Sequence, residues 1–192
     1  MLIKTKLRSK ILKKNIASEL TKIEHTRVFF FDESRFGTHS KIGHGWFETG
    51  KRSTVKIKLG YENFYLYSSV DIKDGDNFSL ILSNVNTENM NIFLLHMSKE
   101  YKNDKMILIM DRAGWHKSKN LKIPDNITIV YLPAYAPELN PVERLSQYIK
   151  SKILKNILYE TIEKLESVLC CFIKSLSNDT VKSICETQYM FN

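Results

Sequence analysis

Val28-Phe29-Phe30-Phe31-Asp32-Glu33 is a run of β-branched and aromatic residues that stops abruptly at two acids. A short continuous apolar run of this kind predicts a strand that is buried on both faces. A second apolar run, Met106 to Met110, ends in the same way at Asp111. Ligand sites in open α/β sheets gather at the carboxyl ends of strands, so Asp32 and Asp111 would converge there if their strands are neighbours.

The segments around these two strands predict one mixed sheet with helices on its faces. Residues 34–53 carry four glycines and predict a loop. Strands are expected at 54–59, 63–72 and 78–82, and the Asp74-Gly75 turn between the last two indicates an antiparallel meander. The later elements alternate between helix and strand, which is typical of an α/β fold. They are a helix over 87–102, a strand over 127–132, a helix that begins after Asn140 as its cap and Pro141, and a helix over 158–176.

The charge of the chain is unevenly distributed. The 192 residues suit one domain with an appended arm, and their net charge is +8. Residues 1–28 hold eight basic residues against two acidic ones, which accounts for most of that charge. We therefore expect a basic N-terminal arm or linker over 1–26 and a single domain over 27–192. The arm is either a solvated tether or an amphipathic helix, whose apolar face would comprise Leu7, Ile11, Leu12, Ile16 and Leu20.

Several classes of protein are disfavoured by what the sequence lacks. No apolar run approaches the roughly 18 to 20 residues that cross a bilayer, and none follows the basic start as in a signal peptide. The three cysteines have no CxxC spacing, so neither a disulfide framework nor a zinc site is indicated. We expect a cytosolic protein, and the positive charge favours a polyanionic partner.

Three acids carry the candidate chemistry: Asp32, Asp111 and Glu143. Carboxylate oxygens are the ligands that Mg²⁺ requires, and two such ions about 4 Å apart can activate an attacking oxygen and stabilise a leaving oxygen in phosphoryl transfer. Two plainer interpretations remain open. An aspartate after a strand is an ordinary turn residue, and Glu143, three residues after Asn140, fits a helix capping box.

Three stretches of the sequence stand out, Phe31-Asp32-Glu33-Ser34, Asp111-Arg112-Ala113-Gly114-Trp115-His116-Lys117-Ser118 and Leu132-Pro133-Ala134-Tyr135-Ala136-Pro137-Glu138-Leu139-Asn140-Pro141-Val142-Glu143. They resemble the catalytic blocks of DDE transposases of the mariner-like branch of bacterial insertion sequences, the IS-six-thirty type. The third is the most specific, because an aromatic-x-Pro-Glu-Leu-Asn-Pro-x-Glu run rarely arises by chance. The chain departs from the family pattern at Arg112, where a small or amide residue is usual, and at Ala134, where a second proline is usual.

This resemblance implies a ribonuclease H-like α/β fold, a mixed five-stranded sheet flanked by helices. It also implies that Asp32, Asp111 and Glu143 are catalytic and bind two Mg²⁺ or Mn²⁺ ions, with Asp32 bridging both ions and the other two acids holding one each. The 32 positions from Asp111 to Glu143 are close to the family's usual interval. The implied activity is cleavage of DNA strands at transposon ends by water, followed by attack of the freed 3′-hydroxyl on target DNA.

The resemblance further implies double-stranded DNA as the partner, both transposon ends and target, bound by a homodimer at the bacterial nucleoid. A separately encoded helix-turn-helix half would recognise the ends, because residues 1–26 are too short to do so. Two alternatives remain: a truncated, catalytically idle transposon remnant that retains DNA binding, and a stand-alone nuclease of the same fold. Basic segments follow Asp111 and Glu143, and the candidate DNA contacts are Arg112, His116, Lys117, Lys119, Tyr135, Arg144 and Lys150.

Overall fold

The computed structural model describes residues 2–20, 26–39, 49–50, 60–134 and 136–186. Five strands form one mixed sheet in the order β3-β2-β1-β4-β5. On one side of β1 the pairing is antiparallel, between β1 and β2 and between β2 and β3. On the other side it is parallel, between β1 and β4 and between β4 and β5. The predicted mixed five-stranded sheet is therefore confirmed, with strands β1 Thr26–Gly37, β2 Asn63–Asp71, β3 Asn77–Leu82, β4 Lys105–Met110 and β5 Ile127–Tyr131.

Strand β1 is longer than its apolar run predicts. It continues past Asp32 to Gly37, so the expected loop at 34–53 is wrong for its first four residues. The extension pairs with β2, and Phe36 is buried opposite Phe64, on which its ring stacks. Parallel pairing with β4 ends earlier, at Phe30. Asp32 thus lies inside β1 instead of at its end, but just beyond the part of β1 that pairs with β4.

The phenylalanine run of β1 packs on both faces of the sheet, as predicted. Phe29 and Phe31 belong to one buried cluster with helix α2 (Thr87–Glu100), whereas Phe30 belongs to a second cluster on the opposite face. Side chains alternate between the faces of a strand, so consecutive phenylalanines serve both clusters. The sheet is therefore covered on both sides, and β1 is its central, most enclosed strand.

The second cluster is covered by the C-terminal helices and by one residue of the N-terminal helix. These helices are α3 Val142–Ile153, α4 Ile162–Ser175 and α5 Asn178–Cys185, and α5 was not predicted from the sequence. Helix α1 (Leu2–Leu20) buries Leu12 completely in this cluster, while Leu7 and Ile11 stay exposed. The helical interpretation of the arm is thus confirmed for Leu2–Leu20. The division of the chain at residue 26 stays a prediction.

Other sequence predictions have mixed outcomes. The Asp74-Gly75 turn connects β2 to β3, and Gly75 has a φ of +77°, which favours glycine. The expected strand over 54–59 lies outside the described residues. Among the helices that the structure describes, none is long and apolar enough to cross a membrane.

Candidate active site

The three candidate acids line a single cleft of about 480 Å³. Asp32 reaches it from β1, Asp111 from the residue after β4, and Glu143 from the first turn of α3. The parallel pairing of β1 with β4 places the first two acids at the same edge of the sheet. The expectation that Asp32 and Asp111 converge because their strands are neighbours is therefore met.

The carboxylates influence one another's protonation. Burial raises the pKa of Asp32 to about 7, and the charges of Glu33, Glu143 and Asp111 act in the same direction. Burial also raises the pKa of Glu143, with contributions from Glu138 and Asp111. Like charges held together in this way disfavour ionisation, and a bound cation would relieve the repulsion.

Asp111 has a different environment because a histidine holds it. Its Oδ1 lies 2.8 Å from Nδ1 of His116 and accepts the Ala113 N–H at 3.0 Å. These bonds lower the pKa of Asp111, the histidine contact most of all. Burial alone would lower the pKa of His116, but its hydrogen bonds to Asp111 and Glu33 outweigh that effect and raise the pKa to about 9. At neutral pH the imidazole is therefore positively charged.

Glu143 is positioned by Asn140, which joins helix α3 to the central strand. Asn140 is buried, and its Nδ2 donates to the Phe31 carbonyl at 2.9 Å while its Oδ1 accepts the Val142 N–H at 3.2 Å. Asn140 thus accepts the N–H of the first helical residue as a cap would, but Pro141 is the residue that directly precedes α3, so the prediction that Asn140 is the cap and Pro141 the first helical residue is displaced by one position. The capping-box interpretation of Glu143 is wrong, because the Asn140 N–H donates to Pro137 O at 2.8 Å.

The carboxylates of the three acids are suitable ligands for a divalent cation, although they are not close enough together to bind one as they stand. Carboxylate oxygens are hard ligands of the kind that Mg²⁺ and Mn²⁺ prefer. Within the part of the chain that the structure describes, however, no three His, Cys, Asp or Glu side chains are grouped closely enough to hold a metal ion as they stand. The three acids would therefore have to approach one another more closely to share a cation.

The expected DNA contacts fall into separate groups. Arg112 and Lys117 line the cleft, and the Nε of Arg112 donates to Leu132 O at 3.0 Å. Lys119 is exposed beyond them. Lys150 lines a second cleft together with Arg35 and His39. Tyr135 lies outside the described residues.

Two of the expected contacts are engaged elsewhere. Only 1% of the His116 surface is exposed, and both ring nitrogens face carboxylates, so this side chain cannot reach a DNA phosphate. The Nη2 of Arg144 donates to the Cys185 and Glu186 carbonyls at 3.0 and 2.6 Å, which ties α3 to the end of α5. We therefore assign both residues to the support of the fold and of the acids.

Sequence reasoning missed Glu33 as a part of this site. Glu33 follows Asp32 directly, at the predicted end of the strand, where the sequence does not define the direction of its side chain. The sequence signal that could have revealed a longer strand is the alternation of charged and less polar residues over Glu33, Ser34, Arg35 and Phe36. In the structure Ser34 and Phe36 are buried. Continued strand geometry places Glu33 on the face opposite Asp32.

A mixed sheet in this order, with one acid on its central strand, one directly after the neighbouring strand and one on a following helix, defines a catalytic domain of the ribonuclease H-like class. The chain belongs to the DDE superfamily of endonucleases, whose family pattern matches residues 27–166. The predicted membership of the DDE family is thereby confirmed.

The relatives by sequence come from bacteria. The chain is 34% identical over 107 residues to the uncharacterized protein y4pE/y4sA of Sinorhizobium fredii, a match that covers 55% of this chain and 79% of the relative. It is 32% identical over 135 residues to the "Insertion element IS630 uncharacterized 39 kDa protein" of Shigella sonnei, covering 67% of this chain but 39% of that protein. The chain thus spans well under half of the insertion-element protein.

Similar solved structures include complexes and domains of the Mos1 mariner transposase. The Mos1 catalytic domain superimposes with a TM-score of 0.60 at 16% identity, covering 95% of this chain and 85% of that chain. The Mos1 paired end complex with Mn gives a TM-score of 0.69 at 16% identity, covering 94% of this chain and 57% of that chain. At this identity the likeness establishes the fold, which is the one predicted.

Proposed function

We propose that this chain catalyses divalent-metal-dependent cleavage of DNA strands at the ends of a mobile element and the joining of the freed 3′-hydroxyl to target DNA. The observation that carries the proposal is the convergence of Asp32, Asp111 and Glu143 on one cleft, where burial and neighbouring acids raise the pKa of Asp32 to about 7. Repulsion of this kind is the electrostatic arrangement that a cation site requires.

Asp32, Asp111 and Glu143 would together hold two Mg²⁺ or Mn²⁺ ions. When bound, such ions supply activation of the attacking oxygen and stabilisation of the leaving oxygen. The protein's own contribution is position. Asp32 stands on the central strand, and Asn140 fixes the start of α3 relative to that strand through its bond to Phe31 O. A carboxylate on such rigid elements needs little rearrangement at the moment of reaction.

The DNA backbone would pass over the basic side chains at the rim of the cleft. Arg112 and Lys117 line the cleft beside the acids, and Lys119, two residues after Lys117, is exposed. The tether of Arg112 to Leu132 O holds its guanidinium near the place where a phosphate must lie. Phosphate contacts of this kind set the position of a duplex without reading its sequence.

The same proposal extends to the assembly. Mos1 structures are described as a paired-end complex with the left transposon end and as a strand transfer complex. We propose that this chain likewise acts on transposon ends and target DNA as a homodimer, at the bacterial nucleoid. Recognition of the ends would be supplied by a helix-turn-helix module.

The test compares nicking of supercoiled plasmid and joining of duplexes taken from the DNA that flanks the gene, both with Mn²⁺. Asp111→Asn and Glu143→Gln remove one carboxylate each and should abolish both reactions. Glu163→Gln is a matched control, because Glu163 is the second residue of α4 as Glu143 is of α3, but it is exposed and outside the cleft. It should leave the rates unchanged.

The outcomes separate the alternatives. If the Asp111 and Glu143 variants react as fast as the original chain, the assignment of the acids is wrong. If the original chain binds DNA but neither nicks nor joins it, the idle-remnant alternative is correct. If it cuts DNA without transposon ends equally well and never joins strands, the chain is a nuclease of this fold.

A further inference from the structure

The adjacent acids of β1 have separate surroundings. Neighbouring residues of a strand point to opposite faces of the sheet. Asp32 lines the cleft with Glu143, whereas Glu33 stands on the face of Phe31, beside helix α2, and only 9% of its side chain is exposed. A buried carboxylate is costly unless charged or hydrogen-bonded partners meet it.

Glu33 finds these partners in the turn that follows Asp111. Its Oε1 accepts the Trp115 Nε1–H at 3.0 Å and lies 2.9 Å from Nε2 of His116. The other ring nitrogen of His116 lies 2.8 Å from Oδ1 of Asp111. Both contacts need a hydrogen on the ring nitrogen, so the imidazole donates to a carboxylate on either side.

The backbone around this imidazole is fixed as well. Trp115 and His116 belong to a 3₁₀ turn, Gly114–Lys117, and the Tyr131 hydroxyl donates to the His116 carbonyl at 2.6 Å. The Phe31 ring packs edge-on against the imidazole at a centroid distance of 5.7 Å. The path from Glu33 to Asp111 therefore runs through a side chain with little freedom to move.

Asp111 is the acid that most needs such support. Its side chain is 60% exposed and follows the last residue of β4, so packing alone does not fix its orientation. Both the His116 ring and the Ala113 N–H bind the same oxygen, Oδ1. Within the described residues Oδ2 has no hydrogen bond, and it is the oxygen left for a ligand.

We propose that Glu33 is a positioning residue that acts through His116 to orient the Asp111 carboxylate for a divalent cation. The proposal rests on the proposed function, since it assigns Glu33 a task in the same site. Partners of metal-binding groups fix their orientation before the metal arrives, and their loss typically lowers metal affinity about 10- to 100-fold. Glu33 itself never touches the cation or the DNA.

The test measures binding of Mn²⁺ alone to the folded chain by electron paramagnetic resonance, at a temperature where circular dichroism shows every variant folded. Glu33→Ala and His116→Ala should each weaken binding about 10- to 100-fold. Because Glu33 acts through His116, the double variant should bind no worse than His116→Ala alone. Glu33→Gln keeps an acceptor oxygen for Trp115 and His116 and should recover part of the affinity.

A control separates positioning from general loosening of the fold. Asn126→Ala removes the hydrogen bonds that Asn126 Nδ2 donates to Ser98, Tyr101 and Asp104 carbonyls, at the opposite end of β5 from the cleft. It should lower the melting temperature but leave Mn²⁺ affinity unchanged.

Each result decides between the two proposals. Unchanged Mn²⁺ affinity in Glu33→Ala, or losses that simply add in the double variant, would overturn the role of Glu33 while leaving the proposed function intact. An equal loss of affinity in Asn126→Ala would also overturn it, since any loosening would then suffice. If the original chain binds no Mn²⁺, the metal site of the proposed function fails and this inference fails with it.

Discussion

Replacement of Asn140 by alanine should destabilise the protein by about 3 kcal/mol. The change removes both hydrogen bonds that join α3 to β1 and leaves the Phe31 carbonyl and the Val142 N–H without partners. An unsatisfied buried polar group costs about 1–3 kcal/mol, and the adjacent cleft admits some water, so about 1.5 kcal/mol for each group is appropriate. In a chain of this length that corresponds to a melting temperature lower by about 6–12 °C.

The assay is urea unfolding followed by circular dichroism, with Asn91→Ala as the matched control. Asn91 makes the same two kinds of bond, donating to Asn120 O at 3.1 Å and accepting the Lys122 N–H at 2.7 Å, but both are exposed to solvent. Water replaces them there, so the control should lose at most about 1 kcal/mol. Equal losses in the two variants would refute the argument from burial.

Asn140→Asp isolates the bond to β1. The introduced carboxylate still accepts the Val142 N–H, but when ionised it cannot donate to the Phe31 carbonyl. This variant should therefore be destabilised at pH 7 and should recover as the pH falls, because the protonated acid regains a donor. Stability equal to that of the original chain at pH 7 would mean that the Phe31 bond contributes nothing.

Three further predictions concern charge. Arg27→Met should cost about 3 kcal/mol at pH 7 in urea unfolding, since Arg27 pairs with the buried Asp71 at 3.1 Å and breaking such a pair strands a charge; the deficit should shrink in acid as Asp71 becomes protonated. In the metal-free protein, stability should fall as the pH rises from about 4 to 7, because the pKa of Asp32 is raised from 3.8 to about 7 on folding; Asp32→Asn should flatten this slope. DNA affinity, measured by fluorescence anisotropy, should fall steeply with salt, and a flat response would exclude a phosphate-binding surface.

The pattern of apolar residues predicts the strands that are buried on both faces and the helix whose buried residues recur at helical spacing. The apolar runs of β1 and β4 are recovered because both faces are buried, and α2 because Met90, Phe93, Leu94 and Met97 recur at helical spacing and are fully buried. The end of β1 is missed because glycines in 34–53 suggest a loop, whereas pairing with β2 keeps the strand going to Gly37. Helix α5 is missed because eight residues give too short a pattern.

The three candidate acids are predicted from the sequence, but the residues that hold them in place are not. The three stretches that resemble the family identify Asp32, Asp111 and Glu143, because each stretch contains one of these acids. His116 follows Asp111 by five positions and therefore suggests a phosphate contact, yet its ring turns inward to Glu33, 83 positions earlier. Contacts of such separation depend on which strands are neighbours and on the face to which each side chain points. These follow only from the three-dimensional pairing of β1 with β4.

Three consecutive residues of the central strand, Phe31, Asp32 and Glu33, set the positions of all three acids. The Phe31 carbonyl holds Asn140 and, through the start of α3, Glu143. Asp32, the next residue, is itself one of the three acids. The Glu33 side chain contacts His116, which in turn contacts Asp111. Because β1 has a partner strand on each side and a packed cluster on each face, it is the part of the sheet least able to shift. A site anchored in this way keeps its acids in register with one another even though they come from elements far apart in the chain.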